Sequence, residues 1–219
     1  TFLGYESLSS EASEVLGLWV EGENQKTVSK EQNALIVLDK TPFYAESGGQ
    51  IGDQGFILND NFNAKVTDCT KLGKVFVHEV EVTDGEVSLN EKVSSQVETL
   101  HRNLSAAHHS ATHLLHAALK QVLGNHVQQK GSLNFSVELC GGTHVQKLGE
   151  IETLIITSES SVSSGVRRIE ALVGKPASDL IKHSLENLNE LKEKLKVSED
   201  QLSSRIDVLL RENKDLKKG

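Results

Sequence analysis

His109-Ser110-Ala111-Thr112-His113 and Cys140-Gly141-Gly142-Thr143-His144 each set two nitrogen- or sulfur-bearing side chains four residues apart. Together they supply three imidazoles and one thiol. That donor set suits a tetrahedral Zn²⁺, bound by Cys sulfur at roughly 2.3 Å and by His nitrogen at roughly 2.0–2.1 Å. Each half alone has an ordinary explanation: paired helical histidines are commonly surface or core residues, and a cysteine beside glycines is commonly a small packing group. Their joint occurrence makes His109, His113, Cys140 and His144 the candidate metal ligands. No glutamate stands between the two histidines of the first half, so the general base of an HExxH metalloprotease is missing.

Such ligands need elements that aim them. Residues 104–123 are rich in Ala and Leu, hold no Pro or Gly, and run up to Gly124, which predicts a helix. Positions four apart share a helix face, so His109 and His113 converge, and His116 follows one turn later. His108, His116 and His126 are taken as structural or supporting residues. Leu114, Leu115, Ala118 and Leu119 offer apolar packing surface. CGGTH reads as a turn whose glycines let Cys140 and His144 point the same way. The helix advances about 15 Å from His113 to its end. The chain from there to Cys140 can span up to ~56 Å, so both halves can reach one ion.

Residues 1–100 read as short strands and turns. Residues 33–39 form a buried-type strand, residues 74–82 alternate apolar with polar, and glycines at 48, 49, 52, 55, 73 and 85 punctuate them. This pattern predicts a small barrel or sandwich. Residues 101–176 are mixed, with the histidine helix, the CGGTH turn and strands near 151–158 and 166–173. After Pro176, Ile181, Leu188, Leu195, Leu202, Leu209 and Leu216 recur every seven residues. The second heptad position is compromised, with Leu185, Lys192, Glu199, Ile206 and Asn213. That seam fits a dimerising or hairpin helix, or equally a long amphipathic helix packed elsewhere in a larger chain. The expected fold class is α+β: a Gly-rich β-barrel subdomain over 1–100, a zinc-binding core over 101–176, and a long coiled-coil helix over 177–219.

A net charge of −8 argues against a general polyanion binder while leaving room for a local basic strip. Two cysteines, one of them assigned to metal, imply a reducing, cytoplasmic setting, with Cys69 a simple thiol. No apolar run reaches the ~18–20 residues of a membrane span, and no signal-peptide pattern opens the chain. A start at Thr1 and the absence of Met suggest a piece of a longer protein.

The loop Thr41-Pro42-Phe43-Tyr44-Ala45-Glu46-Ser47-Gly48-Gly49-Gln50-Ile51-Gly52-Asp53-Gln54-Gly55 is, by itself, a turn between strands, and it lacks the GxxxxGK[ST] pattern of a phosphate loop. Taken with HHSATHLLHAAL, HVQQKGSL, FSVELCGGTHV and SSGVRRIEALVG, it resembles the editing domain of the alanyl-tRNA synthetases. The resemblance covers residues 1–176, and the same core occurs in free-standing alanyl-tRNA editing proteins. The segment beyond resembles the helical connection that follows the editing domain. Threonyl-tRNA synthetases carry a related site, but SGGQIGD and GVRRIEA favour the alanyl family.

The resemblance implies hydrolysis of tRNA(Ala) wrongly charged with Ser or Gly. An activation pocket built for a methyl group excludes neither a smaller residue nor one with an added hydroxyl, so a second site must correct the error. It also implies zinc on His109, His113, Cys140 and His144, with Gln129 lining the pocket, Thr112 beside the bound amino acid and Gln50 toward the ester. The implied partner is the tRNA(Ala) 3′ end; the heptad seam adds a candidate self-association through 181–216, and the lack of a long apolar run adds no membrane partner. Zinc would either bring a water's pKa toward ~7 or, with four protein ligands, organise the pocket around an uncoordinated water. The alternative is a non-catalytic, zinc-stabilised module for tRNA binding or oligomerisation. Arg167 and Arg168 would then meet phosphate, or else form a surface pair beside Glu170. In the family a further helix and several strands separate KGSL from FSVELCGGTH. Here Leu133 runs straight into Asn134, so an internal segment is missing, unless a Cα separation far from ~3.8 Å reveals a break.

Overall fold

The computed structural model describes residues 1–129 and 141–217. The 133/134 junction and Cys140 lie outside them. Two compact units divide the chain, Thr1–Ile151 and Glu152–Gly219. No helix among the described residues is long and apolar enough to cross a membrane.

The first unit opens with β1 (Ser9–Val20), β2 (Glu23–Asn24), β3 (Thr27–Ser29), β4 (Asn33–Leu38), β5 (Gly55–Asn59), β6 (Phe62–Leu72), β7 (Val75–Ser88) and β8 (Lys92–Val97). Among the described residues, six of these close an antiparallel barrel in the order β1-β4-β7-β6-β5-β8 and back to β1, while β2 extends β1 and β3 lies on β7. Closure depends on β1 serving two neighbours. Ser9 and Ser10 pair with Gln96 and Ser95, whereas Val15 to Trp19 pair with Leu38 to Leu35. The register slips between Ser10 and Ser13, where Ala12 takes a φ of 52°. A bulge of this kind bends a strand and raises its twist, which lets it turn a barrel corner. Val15, Leu18, Ile36, Ile57, Val66, Val93 and Val97 fill the interior. These β-branched and leucine side chains suit a pleated, tightly filled core. The strands read from the sequence at 33–39 and 74–82 are β4 and the start of β7. Cys69 is buried in the same core, and burial pushes its thiol pKa up, which leaves it a neutral packing group.

His78 is a large polar side chain built into this interior. His78 is fully buried, with Nδ1 2.8 Å from the Ile36 carbonyl and Nε2 2.7 Å from Thr41 Oγ1. A carbonyl only accepts, so Nδ1–H donates to it and Nε2 accepts from the Thr41 hydroxyl. That hydroxyl oxygen in turn accepts the Phe43 N–H. Every polar atom is satisfied with a neutral ring.

β8 passes through Glu98 directly into α1 (Thr99–Leu123), five residues earlier than the apolar pattern suggested. Its N-terminal half is buried through Arg102, Ser105, Ala106, Ala107, His109, Ser110 and Ala111. The small residues let the helix approach closely, and Arg102 locks it in place. Its Nε donates to Asp53 Oδ1 at 2.9 Å, Nη1 to the Gly4 carbonyl at 2.7 Å and Nη2 to the Pro42 carbonyl at 2.9 Å. Nη2 also pairs with Asp53 Oδ2, which accepts the Tyr44 N–H at 2.7 Å. Beyond Ala111 the helix emerges, leaving Leu114, Val122 and Leu123 exposed.

The second unit holds the hairpin β9 (Leu154–Ser163) and β10 (Val166–Val173), followed by α2 (Lys175–Leu195) and α3 (Leu202–Leu216). Pro176 sits in the first turn of α2, where its missing N–H costs nothing. The long helix expected over 177–219 is two helices. α2 ends on Lys196 in the left-handed conformation, at φ 53°, and the heptad seam breaks between Leu195 and Leu202.

Two outcomes follow from these buried groups. Arg102→Met should cost about 3–5 kcal/mol in urea unfolding, because Asp53 stays buried without its cation. Adding Asp53→Asn should recover part of that loss; an equal or larger loss would show that the pair does not matter as a pair. His78 is pushed down from its ordinary value to about 4 by burial, opposed by the Ile36 hydrogen bond. Between pH ~6.5 and that value the unfolded chain binds a proton that the folded chain refuses, so stability falls as pH drops through the window. The loss attributable to His78 amounts to ~3 kcal/mol at most. Unfolding midpoints from pH 7 to 4 should therefore decline, and His78→Gln should flatten that decline.

Candidate metal centre

The loop between β4 and β5 builds one wall of the site. Ser47 and Gln50 exchange backbone hydrogen bonds at 3.2 and 3.0 Å around Gly48 and Gly49, whose φ values are 59° and 80°. Two successive positive φ angles define a type I′ reversal, which explains the glycine pair. The turn delivers Gln50 to a buried position, and its amide meets Thr143 twice. Gln50 Nε2 donates to Thr143 Oγ1, and Thr143 N–H donates to Gln50 Oε1, each at 2.8 Å. Gln50, expected from the resemblance to lie toward the ester, uses its amide to hold Thr143.

α1 holds that turn from the opposite side. Val145 N–H donates to Ser110 Oγ at 3.1 Å, and the same oxygen lies 3.1 Å from His144 Nδ1. Tyr5 adds a third tie, its hydroxyl donating to the Gly141 carbonyl at 2.6 Å. Thr143, His144 and Val145 are thus fixed between the barrel loop and the helix.

The result is a three-imidazole cluster. Ligand atoms of His109, His113 and His144 all lie within 4.8 Å of one another. The rings are tilted or edge-on, with centroids 4.7, 5.0 and 5.3 Å apart. His109 Nε2 and His113 Nε2 are 3.2 Å apart. Two nitrogens held 2.0–2.1 Å from one tetrahedral ion lie about 3.3 Å apart, so the observed spacing fits zinc. Cys140, the fourth expected ligand, falls outside the described residues.

Electrostatics agree with a ligand role. His109 is held down at about 4, first by burial and then by His144 and His113. His144 is lowered by burial and by His113. Both therefore stay neutral near pH 7, the form that binds metal.

The remaining expected residues sit around this framework. Thr112 precedes His113 on α1, half-buried, and donates its hydroxyl to the His108 carbonyl at 2.9 Å. Gln129 is half-buried, and its Nε2 has no hydrogen-bond partner among the described residues; the same holds for His116 Nε2. Arg167 pairs with Glu159 at 2.5 Å across the β9–β10 hairpin. Asp53, Arg102, Thr143 and the bridging role of Ser110 were not read from the sequence. A charged residue on the same Ala-rich helix face as the histidines was the available signal for Arg102.

Two family models match the chain: tRNA synthetases class II (A) over residues 1–101, and the threonyl and alanyl tRNA synthetase second additional domain over 125–170. The alanine–tRNA ligase of Saccharophagus degradans is 36% identical over 290 aligned positions, taking in 100% of this chain and 33% of its own length. That of Pseudomonas fluorescens is 35% identical, with 99% of this chain and 33% of its own covered. That of Legionella pneumophila strain Lens is 33% identical, with the same shares of 99% and 33%. The chain is thus a class II tRNA synthetase relative with a second additional domain. More narrowly, over 99–100% of its length it is similar to alanine–tRNA ligases. It spans about a third of the length of these curated relatives. The first alignment's 290 positions exceed the chain's 219 residues by 71, so that many positions have no counterpart here.

The packing of the turn separates its two glycines. A Cβ on Gly142 would stand 2.6 Å from His109 Cε1 and 2.8 Å from Gln50 Oε1, whereas one on Gly141 would meet, among the described residues, only Tyr5 Oη, at 3.9 Å. Gly142→Ala should cost about 1–3 kcal/mol through overpacking. Gly141→Ala should stay within about 0.5 kcal/mol. Equal thermal stability of the two variants would mean that the turn does not seat against His109 and Gln50.

Proposed function

We propose that His109, His113 and His144, joined by Cys140, hold zinc at an editing site that hydrolyses Ser-tRNA(Ala) and Gly-tRNA(Ala). The convergence of three imidazoles from α1 and the following turn carries this reading. The reaction adds water across the ester at the tRNA 3′ end, releasing the free amino acid and restoring the terminal hydroxyl. Bound there, zinc would supply a Lewis acid that either activates water or, with four protein ligands engaged, organises the pocket. Gln129 enters as the pocket donor, supported by a buried amide nitrogen that no described residue engages. Thr112, whose own proton goes to His108, is left to accept from a substrate hydroxyl or ammonium group. Gln50 contributes by holding Thr143, and through it the turn.

One observation favours the second reading, a non-catalytic zinc-stabilised module for binding tRNA(Ala) or for self-association. The 71 aligned positions absent here remove part of what the longer relatives carry. The exposed seam residues Ile181, Leu185 and Leu216 would then mediate assembly through 181–216.

Deacylation by the full chain separates the two. Ser-tRNA(Ala) and Gly-tRNA(Ala) should lose their amino acids well above the spontaneous rate, while Ala-tRNA(Ala) is spared. His113→Ala should lower the rate about 100-fold or more, as loss of several kcal/mol of metal assistance requires. Bound tRNA with only spontaneous hydrolysis would replace the editing reading with the binding module.

A further inference from the structure

We infer that Ser110 is the positioning residue that presents His144 to the metal centre, by fixing which ring nitrogen carries the proton. The inference rests on the metal reading of the His109–His113–His144 cluster. Ser110 lies between the two helical histidines, one residue beyond His109, yet its side chain reaches across to the turn. It is buried, and its Oγ is 3.1 Å from both Val145 N and His144 Nδ1.

Two proton arrangements fit this contact, and the metal reading selects between them. A serine hydroxyl has two acceptor lone pairs and one proton. Val145 N–H, a pure donor, takes one lone pair. If Ser110 then donated its proton to Nδ1, the neutral His144 ring would carry its hydrogen on Nε2, closing that atom to a metal. If instead Nδ1–H donates to the second lone pair, Nε2 presents its lone pair to the cluster. Metal-binding imidazoles commonly have their other N–H held in this way, and loss of the holder typically weakens metal binding 10–100-fold. Ser110 therefore serves two neighbours with one oxygen: it pins the backbone after His144 and sets the tautomer of the ring. The Gln50–Thr143 clamp holds the residue before His144, while the Ser110 contact acts on the ring itself.

The test compares Ser110→Ala, Ser110→Thr and a control, Ser105→Ala, at a buried position of the same helix. Zinc and cobalt affinities of the full chain would be measured by competition with a chromophoric chelator. Two-bond ¹H–¹⁵N spectra of the metal-free protein would report the His144 tautomer, assigned through His144→Gln. Ser110→Ala should bind metal 10–100-fold more weakly and shift His144 toward the Nε2–H tautomer. Ser110→Thr, which keeps the hydroxyl, and Ser105→Ala should retain both wild-type properties. A wild-type chain that binds metal alongside an Ala variant of equal affinity and unchanged tautomer overturns the role of Ser110 while the metal reading stands. A wild-type chain that binds neither metal overturns both.

Discussion

A single buried guanidinium determines whether the rest of the molecule can assemble a site. Arg102 reaches from α1 to Asp53 in the β4–β5 loop, to the Pro42 carbonyl at the start of that loop, and to the Gly4 carbonyl near the N-terminus. Two points of that loop and the N-terminal stretch are thereby held at hydrogen-bonding distance from one helix turn. An ion pair so enclosed is a poor source of net stability compared with apolar packing, since both charges must leave water. Its value lies in direction: a guanidinium fork accepts few geometries, whereas apolar contact tolerates sliding.

Everything at the histidine cluster follows from that alignment. Asp53 and Gln50 belong to the same loop, so fixing Asp53 against α1 also fixes Gln50 near the helix. Gln50 grips Thr143, and Ser110, two turns along α1 from Arg102, grips His144 and Val145. Helix, loop and turn are tied pairwise, which is a rigid arrangement with little room for error. Gly142 marks how little, because even one methyl group there would collide with His109 and Gln50. The cluster is thus supported by hydrogen bonds on its outer side, while its three imidazoles face one another.

Much of this frame was legible in the sequence because periodicity reports local structure well. The Gly-punctuated alternating strands gave the barrel its outline, and the Ala/Leu run ending at Gly124 announced α1. The i, i+4 spacing of His109 and His113 placed two rings on one face. What stayed hidden was non-local. Nothing about Gln50 in its own loop says that its partner lies 93 residues away at Thr143. Arg102 and Asp53 lie 49 residues apart, and only the fold buries them together. The break between α2 and α3 stayed hidden for a local reason: a seven-residue repeat continues across a helix break as easily as along a helix. The left-handed Lys196 that ends α2 leaves no trace in that repeat.

X-ray absorption at the zinc edge, on the chain loaded with one equivalent of zinc, examines the central claim most directly. A metal centre built from both halves predicts a first shell dominated by histidine nitrogens at roughly 2.0–2.1 Å, with one sulfur at roughly 2.3 Å. Failure to retain zinc, or a shell of oxygen neighbours alone, would contradict the account: the three rings would then be a packing arrangement and not a metal site.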